Sequence, residues 1–207
     1  MGSDGYPIVL QPGDIFCVEK GFFPDSIIEQ LISLFEERSI EALPRYVHSG
    51  IILNGRGKTL EALWHVRENN LASYEGQQIM IARVRGGLSQ ERFSSAFQRI
   101  VAEHYGERYP INRLFLHAAG LAKVIHFQKV VCSELAAEFL KYALVGDGLF
   151  ELDHYFGWTP ADLAEIFYRW IGIFKIIYRG KWSNSLIASA HDGLLRGEKR
   201  CGRLDLN

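Results

Sequence analysis

The four residues Asn54-Gly55-Arg56-Gly57 constrain this chain more than any others. They separate two β-type runs, Arg45 to Leu53 and Lys58 to Val66, and Asn and Gly accept the backbone that a tight hairpin needs. A hairpin here decides which side chains share a face of the sheet, because the side-chain period of a strand is two. If Asn54 and Gly57 close the loop, His48 faces Leu63, with Glu61 and His65 on the same side. If Asn54-Gly55 is itself the loop, His48 faces Glu61 directly. Both registers bring a carboxylate to the imidazole's side. A carboxylate there fixes the tautomer of the ring and stabilises the imidazolium; His65 is the competing partner.

A second constraint lies at Lys129-Val130-Val131-Cys132-Ser133-Glu134-Leu135, where a β-branched run passes into a helical pattern that reaches about Leu144. Cys132 therefore falls in the first turn of a helix. Backbone N–H groups there are unpaired within the helix, and the dipole favours negative charge. A free thiol titrates near 8.5, so only about 3% is thiolate at neutral pH. A helix N-terminus together with a nearby imidazolium lowers that barrier. A cysteine opening a helix and a histidine on a strand are the parts of a cysteine nucleophile and its base.

The remaining pattern is α+β. Ile15 to Val18 reads as a strand after the turn Gln11-Pro12-Gly13-Asp14, in which Asp14 supports the turn. Pro24 to Arg38 reads as a helix ended by Leu43-Pro44, Gln78 to Val84 as a strand, and Gln90 to Glu103 as a helix with Phe93, Phe97, Ile100 and Val101 on one face. Arg113 to Leu121 has helical character. Thr159 caps another helix with Pro160 at its first position. Ile171 to Tyr178 reads as a buried strand or the end of a core helix. Strands and helices without regular alternation predict an antiparallel sheet or partial barrel packed against helices.

Length and composition narrow the function. The 207 residues suit a single domain, 1–207. With 23 basic and 24 acidic residues there is no field to hold nucleic acid. Cys17, Cys132 and Cys201 are too few and too scattered for a disulfide framework, which favours a reducing compartment; Cys17 reads as core and Cys201 as exposed. His104, His117, His126, His154 and His191 lack metal-ligand spacing, so neither a metal nor a cofactor is expected. No apolar run has spanning length and no leader is visible, which points to the cytoplasm, with phage or envelope association as the other reading.

The motifs Pro12-Gly13-Asp14-Ile15, His48-Ser49-Gly50-Ile51, Thr59-Leu60-Glu61-Ala62, Gly106-Glu107-Arg108-Tyr109, Val131-Cys132-Ser133-Glu134-Leu135 and Thr159-Pro160-Ala161-Asp162-Leu163 follow one another in an order with a precedent. The chain resembles the circularly permuted branch of the NlpC-type papain-like superfamily, the YiiX-like proteins, with lecithin:retinol acyltransferases as distant relatives. In that branch the histidine strand precedes the cysteine helix. The resemblance covers roughly residues 8–165, a permuted papain-like core; residues 166–207 form a C-terminal extension. It implies a catalytic Cys132, His48 and Glu61, attack on an amide, ester or thioester carbonyl, and an acyl-enzyme. It also implies a small-molecule, peptide or lipid acyl substrate contacted by Tyr109, Ser49 and Ser133. The other expectation is a binding module of the same fold without turnover, with Phe167, Tyr168, Trp170, Phe174, Tyr178 and Trp182 as an interaction surface rather than core.

Overall fold

The computed structural model describes residues 7–19, 46–108, 131–144 and 158–187. The expected helix over 24–38, the helical stretch 113–121, Tyr109 and Cys201 lie outside the described residues.

The hairpin forms in the first of the two registers. Strand β2 (Tyr46–Ile52) pairs antiparallel with β3 (Lys58–Ala62), Ile51 opposite Leu60 and Ile52 opposite Thr59. The Asn54 carbonyl accepts from Gly57 N–H at 3.2 Å, and Asn54 Oδ1 accepts from the N–H groups of Arg56 and Lys58 at 2.9 and 3.2 Å. Gly57 takes φ +80°, a left-handed backbone that side chains disfavour. The return strand is shorter than its β-type run suggested. It ends at Ala62, and Val66 begins a new strand, β4 (Val66–Asn70), antiparallel to β3.

With β1 (Ile15–Glu19), β5 (Gln78–Val84) and β6 (Phe174–Lys181), these strands make a six-stranded antiparallel sheet ordered β4-β3-β2-β1-β5-β6. Three helices accompany it among the described residues: α1 (Gln90–His104), α2 (Cys132–Ala143) and α3 (Pro160–Arg169). The fold is α+β, as the pattern predicts. The extension after residue 165 is not peripheral throughout, because β6 closes the sheet along β5.

Central strands are buried on both faces, which explains their unbroken apolar character. Ile15, Cys17, Ile51, Leu60, Met80 and Ala82 point to the helices and meet Leu135, Ala136, Phe139, Leu140, Leu163 and Phe167. Phe16, Val18, Ile52, Ile79 and Ile81 point the other way, against Leu71, Tyr74, Tyr178 and Trp182. Fully burying each large apolar side chain contributes about 1.5–3 kcal/mol. Phe167, Phe174, Tyr178 and Trp182 are therefore core rings rather than an exposed surface.

Candidate active site

His48 sits mid-strand on β2, beside an irregularity. Val18 pairs with His48 but Glu19 pairs with Tyr46, so one extra residue, Val47, enters the β2 side of the ladder. Such bulges bend a strand and re-aim its side chains, and they recur beside active sites. The His48 ring packs edge-on against Phe16, centroids 6.0 Å apart, and stacks on Tyr74 at 5.8 Å and 23°. It is 5% exposed.

His48 Nε2 lies 3.0 Å from Glu61 Oε2, and the Cys132 side chain is near enough to the ring to act on its titration. With Nε2 committed to the carboxylate, Nδ1 is the nitrogen left for sulfur. One histidine thus links a residue of β3 to the first residue of α2. Burial alone would push its pKa down; the hydrogen bonds and charges of Cys132 and Glu61 outweigh that and raise it to about 10.

Glu61 is fully buried, and its environment suits a charge. Its Oε1 accepts from Thr59 Oγ1, and its Oε2 from Tyr74 Oη at 2.5 Å, with Asn69 Nδ2 3.4 Å away. Burial alone would raise the carboxyl's pKa; the bonds from His48, Thr59 and Tyr74 hold it below the ordinary value. Space for the carboxylate comes from Gly50. A Cβ built there would stand 2.6 Å from Phe16 Cε1 and 2.8 Å from Glu61 Cγ, closer than real contacts allow. A glycine two residues after His48 lets the glutamate's stem cross the strand.

Cys132 is the first residue of α2 and 2% exposed. As a first-turn residue its N–H has no partner within the helix. The helix start is anchored on both sides of the thiol. Glu134 Oε2 accepts from Val131 N–H at 3.2 Å, and Ser133 Oγ donates to the Trp158 carbonyl at 2.6 Å. Ser133 thus ties α2 to the segment leading into α3, where Thr159 is the cap read from sequence and Asp162 completes a capping pair with it. Ser49 is buried opposite Cys17, with no hydrogen-bond partner for its hydroxyl among the described residues. His65 is exposed beyond the end of β3, bridged to Arg108, while Glu61 takes the bond to His48. Cys17 is fully buried, and its surroundings, with Cys132 near, push its thiol pKa well up, as suits a core residue.

Sequence reasoning missed Thr59, Asn69, Tyr74 and the role of Gly50. Thr59 was within reach of it, since it lies two residues before Glu61 on the same face. Asn69 pairs with Thr59 from β4, and Tyr74 ends a 3₁₀ turn, Leu71–Tyr74, that follows β4. Neither is visible without β4.

A second polar cluster joins α1 to α2. His104 bonds Glu107 through Nδ1 at 3.1 Å and Glu138 through Nε2 at 2.9 Å, with a Glu103 oxygen 3.9 Å from Nε2. Tyr142 donates to Glu103 and Glu138. Burial lowers the His104 pKa, but the two glutamates raise it further, so the cluster works as a buried ion-pair network. Among the described residues, Glu103, His104 and Glu138 place one donor atom each within 4.8 Å of the others, close enough to share a cation. Sequence spacing could not show this, because Glu138 reaches His104 only through helix packing. Among the described residues no helix is long and apolar enough to cross a membrane.

No protein-family model and no curated protein matches the chain. Among solved structures it is similar to the metalloprotein yiiX from Escherichia coli O157:H7, at 18% identity over 88% of this chain and 94% of that one, with a TM-score of 0.47.

Proposed function

We propose that the chain is a cysteine hydrolase or acyltransferase of the permuted papain-like kind, working through Cys132, His48 and Glu61. One observation carries this reading: a single buried imidazole bonded to a buried carboxylate, with a helix-opening thiol close enough to act on its titration.

His48 takes the Cys132 proton, and Glu61 steadies the resulting imidazolium. The sulfur attacks a carbonyl carbon, and the oxygen of the tetrahedral intermediate is met by the Cys132 N–H and the positive end of α2. Collapse breaks the bond to the leaving group, which takes the imidazolium's proton and leaves a thioester on Cys132. Water, deprotonated by His48, then releases the acid; an amine or alcohol in its place makes the step a transfer. General base help of this kind is worth about 10²–10⁴-fold in rate. Suitable acyl donors are cell-wall peptides and lipid or small-molecule esters and amides.

One feature favours a second reading, a ligand-binding module without turnover: the sulfur is nearly covered. Incubation with p-nitrophenyl acetate followed by intact-mass and peptide mass spectrometry separates the two. The hydrolase reading expects an acetyl adduct on Cys132 that decays with time and is lost in His48→Ala. No adduct, or one distributed over Cys17 and Cys201, contradicts it.

A further inference from the structure

The Glu61 carboxylate is gripped at both oxygens, and the two grips differ. Thr59, its neighbour on the same strand face, holds Oε1. Tyr74 holds Oε2, the same oxygen that meets His48 Nε2. The Tyr74 ring also lies over the His48 ring and touches Phe16, centroids 5.3 Å apart. One side chain therefore contacts the imidazole by its face and the carboxylate by its hydroxyl. Tyr74 is brought there by a short 3₁₀ turn fixed at its start, and its own carbonyl accepts from Gln77 N–H at 3.0 Å. Asn70 Oδ1 accepts from Ala72 N–H at 2.8 Å, and Leu71 N–H donates to the Gly57 carbonyl at 2.8 Å, which ties the turn to the His48–Glu61 hairpin.

We propose that Tyr74 is a positioning residue of the triad: its hydroxyl fixes the plane of the Glu61 carboxylate and its ring fixes the plane of the His48 imidazole, so that Nε2 stays on Oε2. The proposal rests on the cysteine-hydrolase reading for its purpose. Its physical basis is separate. The last torsion of a glutamate is soft, with broad wells, so only its hydrogen-bond donors decide where the oxygens point. Without the Tyr74 hydroxyl, Oε2 keeps only His48 and the longer Asn69 contact, and the carboxylate gains freedom to swing about Thr59. The aromatic rings against the imidazole, among the described residues, are Tyr74 on its stacked face and Phe16 edge-on. Simple core packing is the competing account, in which the hydroxyl merely finds an acceptor.

Nitrogen-15 NMR of the histidine-labelled full chain tests this without substrate. The bond at stake for the imidazole is the one from His48 Nε2 to Glu61, and a hydrogen bond to a charged group is worth roughly one to two pH units in the titration of the group that makes it. In the wild type His48 should titrate well above the ordinary value, and in Tyr74→Phe, which keeps the stacked ring, its midpoint should fall by at least about one pH unit. An unchanged or higher midpoint in a folded Tyr74→Phe overturns the proposal while leaving the hydrolase reading intact. A wild-type His48 titrating near 6.5 removes the ion pair and defeats both. If Tyr74→Phe does not fold, the wild type still decides: a slowly exchanging, low-field Tyr74 hydroxyl proton with a cross-peak to Glu61 supports the grip, and a freely exchanging one overturns it.

Discussion

Gly50→Ala should damage both the stability and the chemistry of this protein, for one reason. The added Cβ would stand 2.6 and 2.9 Å from two carbons of the Phe16 ring and 2.8 Å from Glu61 Cγ. Neither neighbour can retreat to solvent, since Phe16 and Glu61 are both fully buried. Overpacking a filled core by a methyl costs about 1–3 kcal/mol. For a domain of this size each kcal/mol lowers the Tm by about 2–4 °C, so a fall of roughly 2–12 °C is expected. Relief comes most readily from Glu61, whose displacement separates Oε2 from His48 Nε2. Alkylation of Cys132 by iodoacetamide at neutral pH should then slow by about tenfold, the effect of about 1.4 kcal/mol. Gly172→Ala is the control, because a Cβ there meets nothing within 4 Å and its φ is not positive; it should change stability by less than about 1 kcal/mol. Differential scanning calorimetry and peptide-resolved alkylation supply both readouts. If Gly50→Ala melts and labels like Gly172→Ala, Gly50 is not what makes room for the Glu61–His48 pair, and the packing argument is wrong.

Two other outcomes follow from the same geometry. Glu61→Gln keeps an acceptor for Tyr74 and His48 but loses the charge, whereas Glu61→Ala leaves a buried imidazolium unpaired. Removing one partner of a buried pair costs about 3–5 kcal/mol, so chemical denaturation should rank stability wild type, then Gln, then Ala, with NMR showing His48 titrating lower in both. His104 has a folded-state pKa raised by Glu138 and Glu107. Its contribution is therefore fully present below the unfolded pKa of about 6.5 and is lost as pH rises through the higher folded value. The stability gap between wild type and His104→Gln, followed by urea denaturation, should shrink as pH increases above neutrality; a gap that grows refutes the network.

Local chemistry explains which parts of this fold could be read in advance. The face that His48 shares with Glu61 was legible, because Asn54 and Gly57 mark the turn and both registers open to it put the two side chains on one side by the period of two; the choice between the registers was not. The starts of α2 and α3 were legible because a β-branched run before Cys132 and a Thr-Pro pair before Ala161 mark helix entries. Strand β4 was not. Val66-Arg67-Glu68-Asn69-Asn70 alternates poorly and is largely polar, since β4 is an edge strand with exposed Arg67 and Glu68. Losing β4 meant losing Asn69 and Tyr74, half of the Glu61 surroundings. Strand β6 was half-legible, its apolar run pointing to burial but not to a place along β5. The His104 network depends on α1 lying against α2, a contact between residues far apart along the chain, and no local pattern encodes it.

The most direct measurement of the central claim is the rate of Cys132 alkylation by iodoacetamide against pH, resolved by peptide from Cys17 and compared with His48→Ala. The account predicts that wild-type Cys132 labels much faster than Cys17 and that His48→Ala slows it by about tenfold or more. Equal rates for Cys132 in the two proteins across the pH range would contradict it, because the imidazole would then do nothing for the sulfur.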